Sequence, residues 1–267
     1  MNTVLKYTGS KFRIADWIVS MIPDHCVYLE PYFGSGAVFF NKQKSRIETI
    51  NDVDGKVVNF FRMVRERPQE LSEAVLLTPY ARQEYDRSFS DDGACDALEQ
   101  ARRFAVRCWM SYSGGNRYHN GFRSGQQGNS PNPARAWNKL PEAIMLASMR
   151  LKDVQIECLP ALDLIERYNT KDVFIYADPP YLNSTRKNYL YHYEMTEKDH
   201  KELLEILLRH PGKIMISGYE NDLYDEMLAG WRKESRITQA ENGVKRIETL
   251  WMNYEIGQLS FFFPSQP

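Results

Sequence analysis

The string Asp178-Pro179-Pro180-Tyr181 gathers an acceptor carboxylate, a carbonyl on proline-stiffened backbone and an aromatic ring within four residues. It follows the apolar run Val173 to Ala177, which reads as a buried strand that two prolines cannot continue in the centre of a sheet. Such a group suits an exocyclic amine. The Asp178 carboxylate and the Pro179 carbonyl accept its two N–H bonds, which draws the nitrogen toward sp³ geometry and frees its lone pair for attack. Tyr181 would stack on the ring carrying that amine. The bland reading of the same string is a strand exit with a surface tyrosine.

A second group stands at Glu30-Pro31-Tyr32-Phe33-Gly34-Ser35-Gly36, after the short strand candidate Val27 to Leu29. Open α/β sheets bind ligands at this carboxyl edge. Gly34 and Gly36 allow a tight turn and close approach of the backbone to a ligand. A dinucleotide fingerprint needs a small residue three positions after the second glycine, where this chain has Phe39. The pyrophosphate reading is weakened accordingly. Asp52 follows a second strand candidate, Ile47 to Ile50, and is placed to accept both hydroxyls of a ribose. It could equally cap the next helix, as could Asn51 or Asp54.

These groups need elements to position them. Ala37 to Phe40 reads as the start of a helix, and Lys56 to Arg67 has helical spacing at Val57, Phe60, Phe61 and Val64. Two βα units in succession predict a parallel sheet. Alternation resumes after residue 150. Thr196 and Asp199 form a capping box for a helix over Glu197 to Arg209, Lys213 to Ser217 is the next strand, and Asn242-Gly243 turns a final hairpin that returns over Ile247 to Tyr254. Residues 68–149 differ in character, with helical spacing over Ala94 to Met110 and then a Gly-, Asn-, Ser- and Pro-rich run from Ser111 to Pro133. The predicted organisation is a catalytic domain from residues 1–67 and 150–267 with a mainly helical insertion.

Composition narrows the classes. The chain has 267 residues, 43% hydrophobic and 26% charged, with no apolar stretch long enough to span a bilayer and no apolar signal-peptide core after Met1, which predicts a cytoplasmic protein. Cys26, Cys95, Cys108 and Cys158 are scattered without metal-ligand spacing, so reduced and mostly buried thiols are expected, with no metal. The net charge of −1 conceals an asymmetry. Ala105 to Arg150 carries six basic residues (Arg107, Arg117, Arg123, Arg135, Lys139, Arg150) against Glu142 alone, interleaved with Trp109, Tyr112, Tyr118, Phe122 and Trp137. That is the composition of a nucleic-acid contact surface, although a solvated basic face has it too.

Taken together, these motifs resemble the Dam-like (D12 class) DNA adenine-N6 methyltransferases. Leu5 to Lys11 is similar to the family's N-terminal cofactor motif, Glu30 to Gly36 to its glycine loop, Asn51-Asp52 to its ribose-binding motif and Asp178 to Tyr181 to its Asp-Pro-Pro-Tyr motif. The resemblance implies a Rossmann-like α/β methyltransferase fold using S-adenosyl-L-methionine. It implies cofactor contacts at Tyr7, Lys11, Tyr32, Gly34, Ser35, Gly36, Asp52 and Asp178, with catalysis by Asp178, Pro179, Pro180 and Tyr181. Cys158 to Asp163 is similar to the segment flanking the cofactor adenine, which carries over Ala161 and Leu162 despite the departure at Pro160. The ring of Tyr7 would present its π face to the sulfonium.

By the same resemblance the insertion is a target-recognition domain for double-stranded DNA, with Tyr112, Arg117, Tyr118 and Arg123 as contacts. Tyr112, Tyr118 and Phe122 are alternative wedges into the duplex, and each arginine could contact phosphate or read guanine. A monomer is the default for an enzyme acting on one strand at a time. No Pro-Cys pair exists for cytosine-C5 chemistry. Cytosine-N4 methylation and a catalytically silent DNA-binding relative are the alternatives, and a nicotinamide dehydrogenase ranks last.

Overall fold

A computed structural model describes residues 3–90, 95–112, 118–125, 131–182, 193–239 and 245–256. The chain begins with a short helix α1 (Ala15–Val19) and then builds the sheet's first strands, β1 (Val27–Glu30) and β2 (Ile47–Asn51). Helices α2 (Gly55–Glu66), α3 (Pro68–Leu76), α4 (Arg82–Arg87), α5 (Ala97–Met110), α6 (Pro133–Trp137) and α7 (Leu140–Leu151) follow. The remaining elements are β3 (Gln155–Glu157), α8 (Ala161–Arg167), β4 (Val173–Ala177), α9 (Glu197–Arg209), β5 (Lys213–Tyr219), α10 (Asp222–Met227), β6 (Arg232–Gln239) and β7 (Lys245–Met252).

The seven strands form one sheet in the order β3-β2-β1-β4-β5-β7-β6. The first five pair in parallel, and β7 runs antiparallel between β5 and β6. β4 is buried at every position, as a parallel strand covered on both faces must be. The period of two then sorts side chains between layers. Tyr28, Phe174, Tyr176 and Met215 enter one core with Phe60, Phe61, Phe104, Leu140 and Ile144. Leu29, Ile175, Ala177 and Ile216 enter a second core with Leu164, Leu203, Leu207 and Tyr224. The sheet is thus sandwiched between α2, α3, α5 and α7 on one face and α8, α9 and α10 on the other.

Several expectations from sequence hold closely. The capping box at Thr196 and Asp199 starts α9, with the Thr196 side chain accepting from the Asp199 N–H. Asp54 is the residue that caps α2, accepting from the Lys56 N–H. β6 and β7 pair as the expected hairpin, and the expected turn at Asn242-Gly243 lies outside the described residues. Ala37 to Phe40, by contrast, is a succession of turns and not a helix. Its rings explain this: Phe39 and Phe40 pack edge-on to one another at 5.1 Å, and Phe33 lies 5.6 Å from Phe39, so the short segment serves a ring cluster at a tight chain reversal. The cysteine expectation also needs correction, because only Cys108 is buried while Cys26 and Cys158 are exposed. The described cysteines are free thiols.

Helices α3 to α7 share the first core with the sheet, and the end of α7 is also bound to it by charge. Glu48 on β2 accepts from Lys42 Nζ at 2.6 Å, from Arg150 Nη2 at 2.7 Å and from the Ser45 N–H at 3.0 Å. Arg150, near the end of α7, also lies 3.8 Å from the centre of the Phe39 ring. Burial pushes the Glu48 carboxyl up, but Arg150 and Lys42 more than offset it and hold it below its usual value. Removing this carboxylate leaves two enclosed cations without their partner. Glu48→Ala is therefore expected to cost about 3 kcal/mol of stability, read from urea unfolding midpoints at constant m-value.

Candidate active site

The order of the sheet reverses between β1 and β4, and there the chain leaves both strands at their carboxyl ends. A cleft of about 780 Å³, counting the part open to solvent, lies at this edge. Segments distant in sequence line it: Tyr7 to Lys11, Tyr32 to Ser35, Asp52 to Asp54, Asp178 with Pro180, and Tyr193 to Met195.

The glycine loop is held from below. Asn51 donates from Nδ2 to the Pro31 and Leu159 carbonyls at 2.9 and 3.1 Å, and its Oδ1 accepts the Leu159 N–H at 2.9 Å. Asn51 is thus a staple between the loop and the segment after β3, not a helix cap. Gly34 and Gly36 have φ of +49° and +65°. A Cβ on Gly34 would meet the Tyr7 ring at 3.3 Å, and one on Gly36 would meet the Phe33 ring at 2.4 Å. Ser35 Oγ and Ser10 Oγ lie 2.8 Å apart, joining this loop to the N-terminal motif.

Asp52 accepts the Gly34 N–H at 2.8 Å and the Asp54 N–H at 2.9 Å. Burial raises its carboxyl to about 6, and these two donors only partly offset that. Glu30, at the end of β1, is a cleft residue that the motif reading left without a role of its own. It is buried and accepts from Tyr28 Oη at 2.7 Å. Burial raises its carboxyl to about 8, the Tyr28 hydroxyl lowers it, and the nearby Asp178 charge raises it further. Its position, a carboxylate closing an apolar strand, was the available signal.

At β4's end, Asp178 is fixed through one oxygen. Oδ1 accepts from Lys11 Nζ at 2.8 Å and from Ser217 Oγ at 2.7 Å. Among the described residues Oδ2 takes no hydrogen bond. Lys11, 5% exposed, also donates to the Gly9 carbonyl at 3.0 Å and sits 4.6 Å from the centre of the Tyr181 ring. Lys11 therefore borders the cleft and at the same time binds the aspartate, a partnership absent from the sequence reading. Tyr181 differs from expectation more sharply. It is buried, packs edge-on against Tyr219 at 4.6 Å and donates its hydroxyl to Glu248 at 2.7 Å, and it is not among the residues lining the cleft.

Gly36, Pro179, Ala161 and Leu162 do not line the cleft either. Gly36 supports the turn from behind, whereas Ala161 and Leu162 open α8, where Leu162 packs toward the second core. Of the three candidate wedges, Phe122 is packed 5.2 Å from Tyr80 and 6.1 Å from Tyr85. Tyr112 and Tyr118 are 62% and 58% exposed. Arg123 is half-buried, with its N–H bonded to the Met110 carbonyl, and Arg117 lies outside the described residues. Among the described residues there is no metal-ligand cluster and no helix long and apolar enough to cross a membrane.

A parallel sheet in this order, closed by an antiparallel β7 and opening its cleft at the β1/β4 reversal, defines a Rossmann-like methyltransferase fold. The family model of the D12 class N6 adenine-specific DNA methyltransferases matches residues 7–242, and the chain belongs to that family. It is 26% identical over 259 residues to the type II methyltransferase M1.LlaDCHI of Lactococcus lactis subsp. cremoris, covering 90% of this chain and 89% of that protein. It is 24% identical over 281 residues to the DNA adenine methylase of Escherichia coli strain K12, covering 96% of each. Among solved structures, the putative methyltransferase yhhF of Escherichia coli aligns over 92% of this chain and 83% of its own, with 12% identity and a TM-score of 0.39.

The glycine turn yields a direct check on the site's construction. Gly36→Ala combines a left-handed backbone with a methyl pressed into two phenylalanine rings, and is expected to cost about 3 kcal/mol in chemical denaturation. Gly55→Ala, which meets nothing within 4 Å at the start of α2, is expected to be neutral or stabilising by up to about 1 kcal/mol in the same measurement.

Proposed function

We propose that the cleft carries out methyl transfer from S-adenosylmethionine to N6 of an adenine turned out of duplex DNA, with the roles that follow. The observation that carries this reading is Asp178 held at one carboxylate oxygen by Lys11 and Ser217 beside an open cleft. Its other oxygen is then left to accept an amine N–H, and in this reading the second falls to the carbonyl of Pro179, which stands between the cleft-lining Asp178 and Pro180 without lining the cleft itself. Together they direct the nitrogen lone pair. Membership of an adenine-N6 family agrees with that chemistry.

The chain's residues fit the cofactor. The half-buried Asp52 carboxylate just after β2 offers an acceptor for two ribose hydroxyls, the Gly34 turn leaves a cradle that any Cβ would begin to fill, and Tyr7 and Tyr32 supply aromatic walls. When bound, S-adenosylmethionine supplies an electrophilic methyl group on sulfur. Asp178 positions and polarises the amine and takes its proton once the nitrogen has become cationic, because a carboxylate is a weak base toward a neutral aryl amine. Tyr181 serves this reading as support for Lys11, since its ring is covered where stacking on a base was expected.

The helical insertion is read as the target-recognition domain, with Tyr112 and Tyr118 as its exposed aromatics and Arg117 and Arg123 as its basic contacts. Turning a base out of the stack requires such a partner surface beside the cleft. One chain carries both parts, so action as a monomer is expected.

Two outcomes test the reading. Asp178→Ala is expected to lower methyl transfer by at least about 10²-fold while cofactor and DNA binding persist, measured by nucleoside mass spectrometry of unmethylated DNA incubated with labelled cofactor. N4-methylcytosine as the product would correct the base. The second outcome concerns pH. Because Asp52 has its carboxyl raised above the unfolded value, its contribution to stability increases as pH falls through about 6, whereas its power to accept from ribose hydroxyls declines. Calorimetric cofactor affinity should therefore weaken up to about tenfold from pH 7 to pH 5, and Asp52→Asn should bind more weakly with a flat profile.

A further inference from the structure

Glu248 lies on β7, opposite Tyr219 on β5. Along β7 the residues on its side of the strand toward the core are Leu250 and Met252, both buried apolar side chains. Glu248 is itself only 9% exposed. Placing a carboxylate there is costly, and an apolar residue of similar size would serve packing at least as well. Departures of this kind concentrate where a site needs them.

The carboxylate has a defined task in the geometry. Its Oε2 accepts the Tyr181 hydroxyl at 2.7 Å, which ties down a ring lying beyond the end of β4. Tyr219 braces the same ring edge-on at 4.6 Å. The Lys11 ammonium rests 4.6 Å from the ring centre and reaches Asp178 at 2.8 Å. A hydrogen bond to a carboxylate leaves a phenol ring richer in electrons, and an electron-rich face holds a cation more strongly. Lys11 and Arg246 are the cations that oppose the effect of burial on Glu248, and Asp178 adds to it, so the four charges form one coupled group.

We infer that Glu248 is a positioning residue for methyl transfer: it fixes the Tyr181 ring, the ring seats Lys11, and Lys11 holds the Asp178 carboxylate toward the amine. Glu248 touches neither substrate nor cofactor in this scheme. The assignment rests on the methyl-transfer reading above for its kinetic consequence but not for its geometry. Two kinds of measurement therefore separate the two. Turnover by the wild-type enzyme tests the reaction, and the Lys11 resonances test the chain of contacts.

Glu248→Ala is expected to lower kcat about tenfold, the value of one lost hydrogen bond to a charged group, with the cofactor KM changed less than about twofold. Glu248→Gln retains an acceptor oxygen and should recover to within about threefold of wild type. In carbon-13 NMR of the full chain, the upfield ring-current shift of the Lys11 ε-methylene should be lost in Glu248→Ala and kept in Glu248→Gln. If the alanine variant does not fold, Tyr181→Phe removes the same hydrogen bond from its other end and should show the same loss of kcat. Wild-type kcat in the folded alanine or phenylalanine variant overturns the assignment, as do unchanged Lys11 resonances in Glu248→Ala or a loss confined to KM. Absence of adenine methylation by the wild-type protein would overturn the reaction, and the NMR comparison would still decide the contacts.

Discussion

Pairing of β1 with β4, in the register Val27 with Val173, Tyr28 with Phe174 and Leu29 with Ile175, is the constraint on which the site depends. It sets two strand ends from opposite parts of the chain side by side, one leading into the glycine loop and the other into Asp178. Parallel strands require long crossovers, and the one from β2 to β3 carries helices α2 to α7. Because these helices pack into the same core as the strands, they also clamp the site's foundation. Glu48, with Lys42 on its own side and Arg150 from α7, performs the same joining with charge.

Above that foundation the site is built from charges that would be unstable one by one. Asp52 and Glu30 are carboxyls raised by enclosure, the first softened by backbone donors and the second by a phenol. Asp178 is compensated by Lys11 and a serine hydroxyl, and Lys11 in turn by the ring of Tyr181. Glu30 is held within β1 and Asp52 by Gly34 and Asp54, whereas Asp178 draws its partners from the N-terminal motif and β5, and Tyr181 draws its own from β7. A site assembled this way keeps its acceptors pointed before any ligand arrives, which is the condition for electrostatic preorganisation.

Much of this was legible in the chain itself. The run Val173 to Ala177 ending at two prolines, the capping box at Thr196 and Asp199, and the glycine loop at Gly34 and Gly36 are local signals, because strand burial, helix initiation and left-handed backbone are decided within a few residues. The Ala37 to Phe40 segment departs from its local signal for the complementary reason. Its apolar spacing matches a helical start, but Phe39 and Phe40 answer to the rings of Phe33 and Phe61 elsewhere in the core. Only Asp54 caps α2, although Asn51 and Asp52 carry equally suitable side chains, since the latter two are committed to partners across the loop.

The sequence by itself determined the chemical inventory and its order: a glycine turn, an acidic residue after the second strand, the Asp-Pro-Pro-Tyr string after the fourth, and a segment rich in basic and aromatic residues. Short-range stereochemistry and residue type suffice for these. Which oxygen of Asp178 is pinned, that Lys11 is the residue pinning it, that Tyr181 is sheltered by Tyr219 and Glu248, and that Ala161 and Leu162 stand back from the cleft were decided only by tertiary structure. Those contacts join residues as far apart as Lys11 and Asp178 or Tyr181 and Glu248, whose meeting follows from sheet register and layer packing and leaves no local trace in the chain.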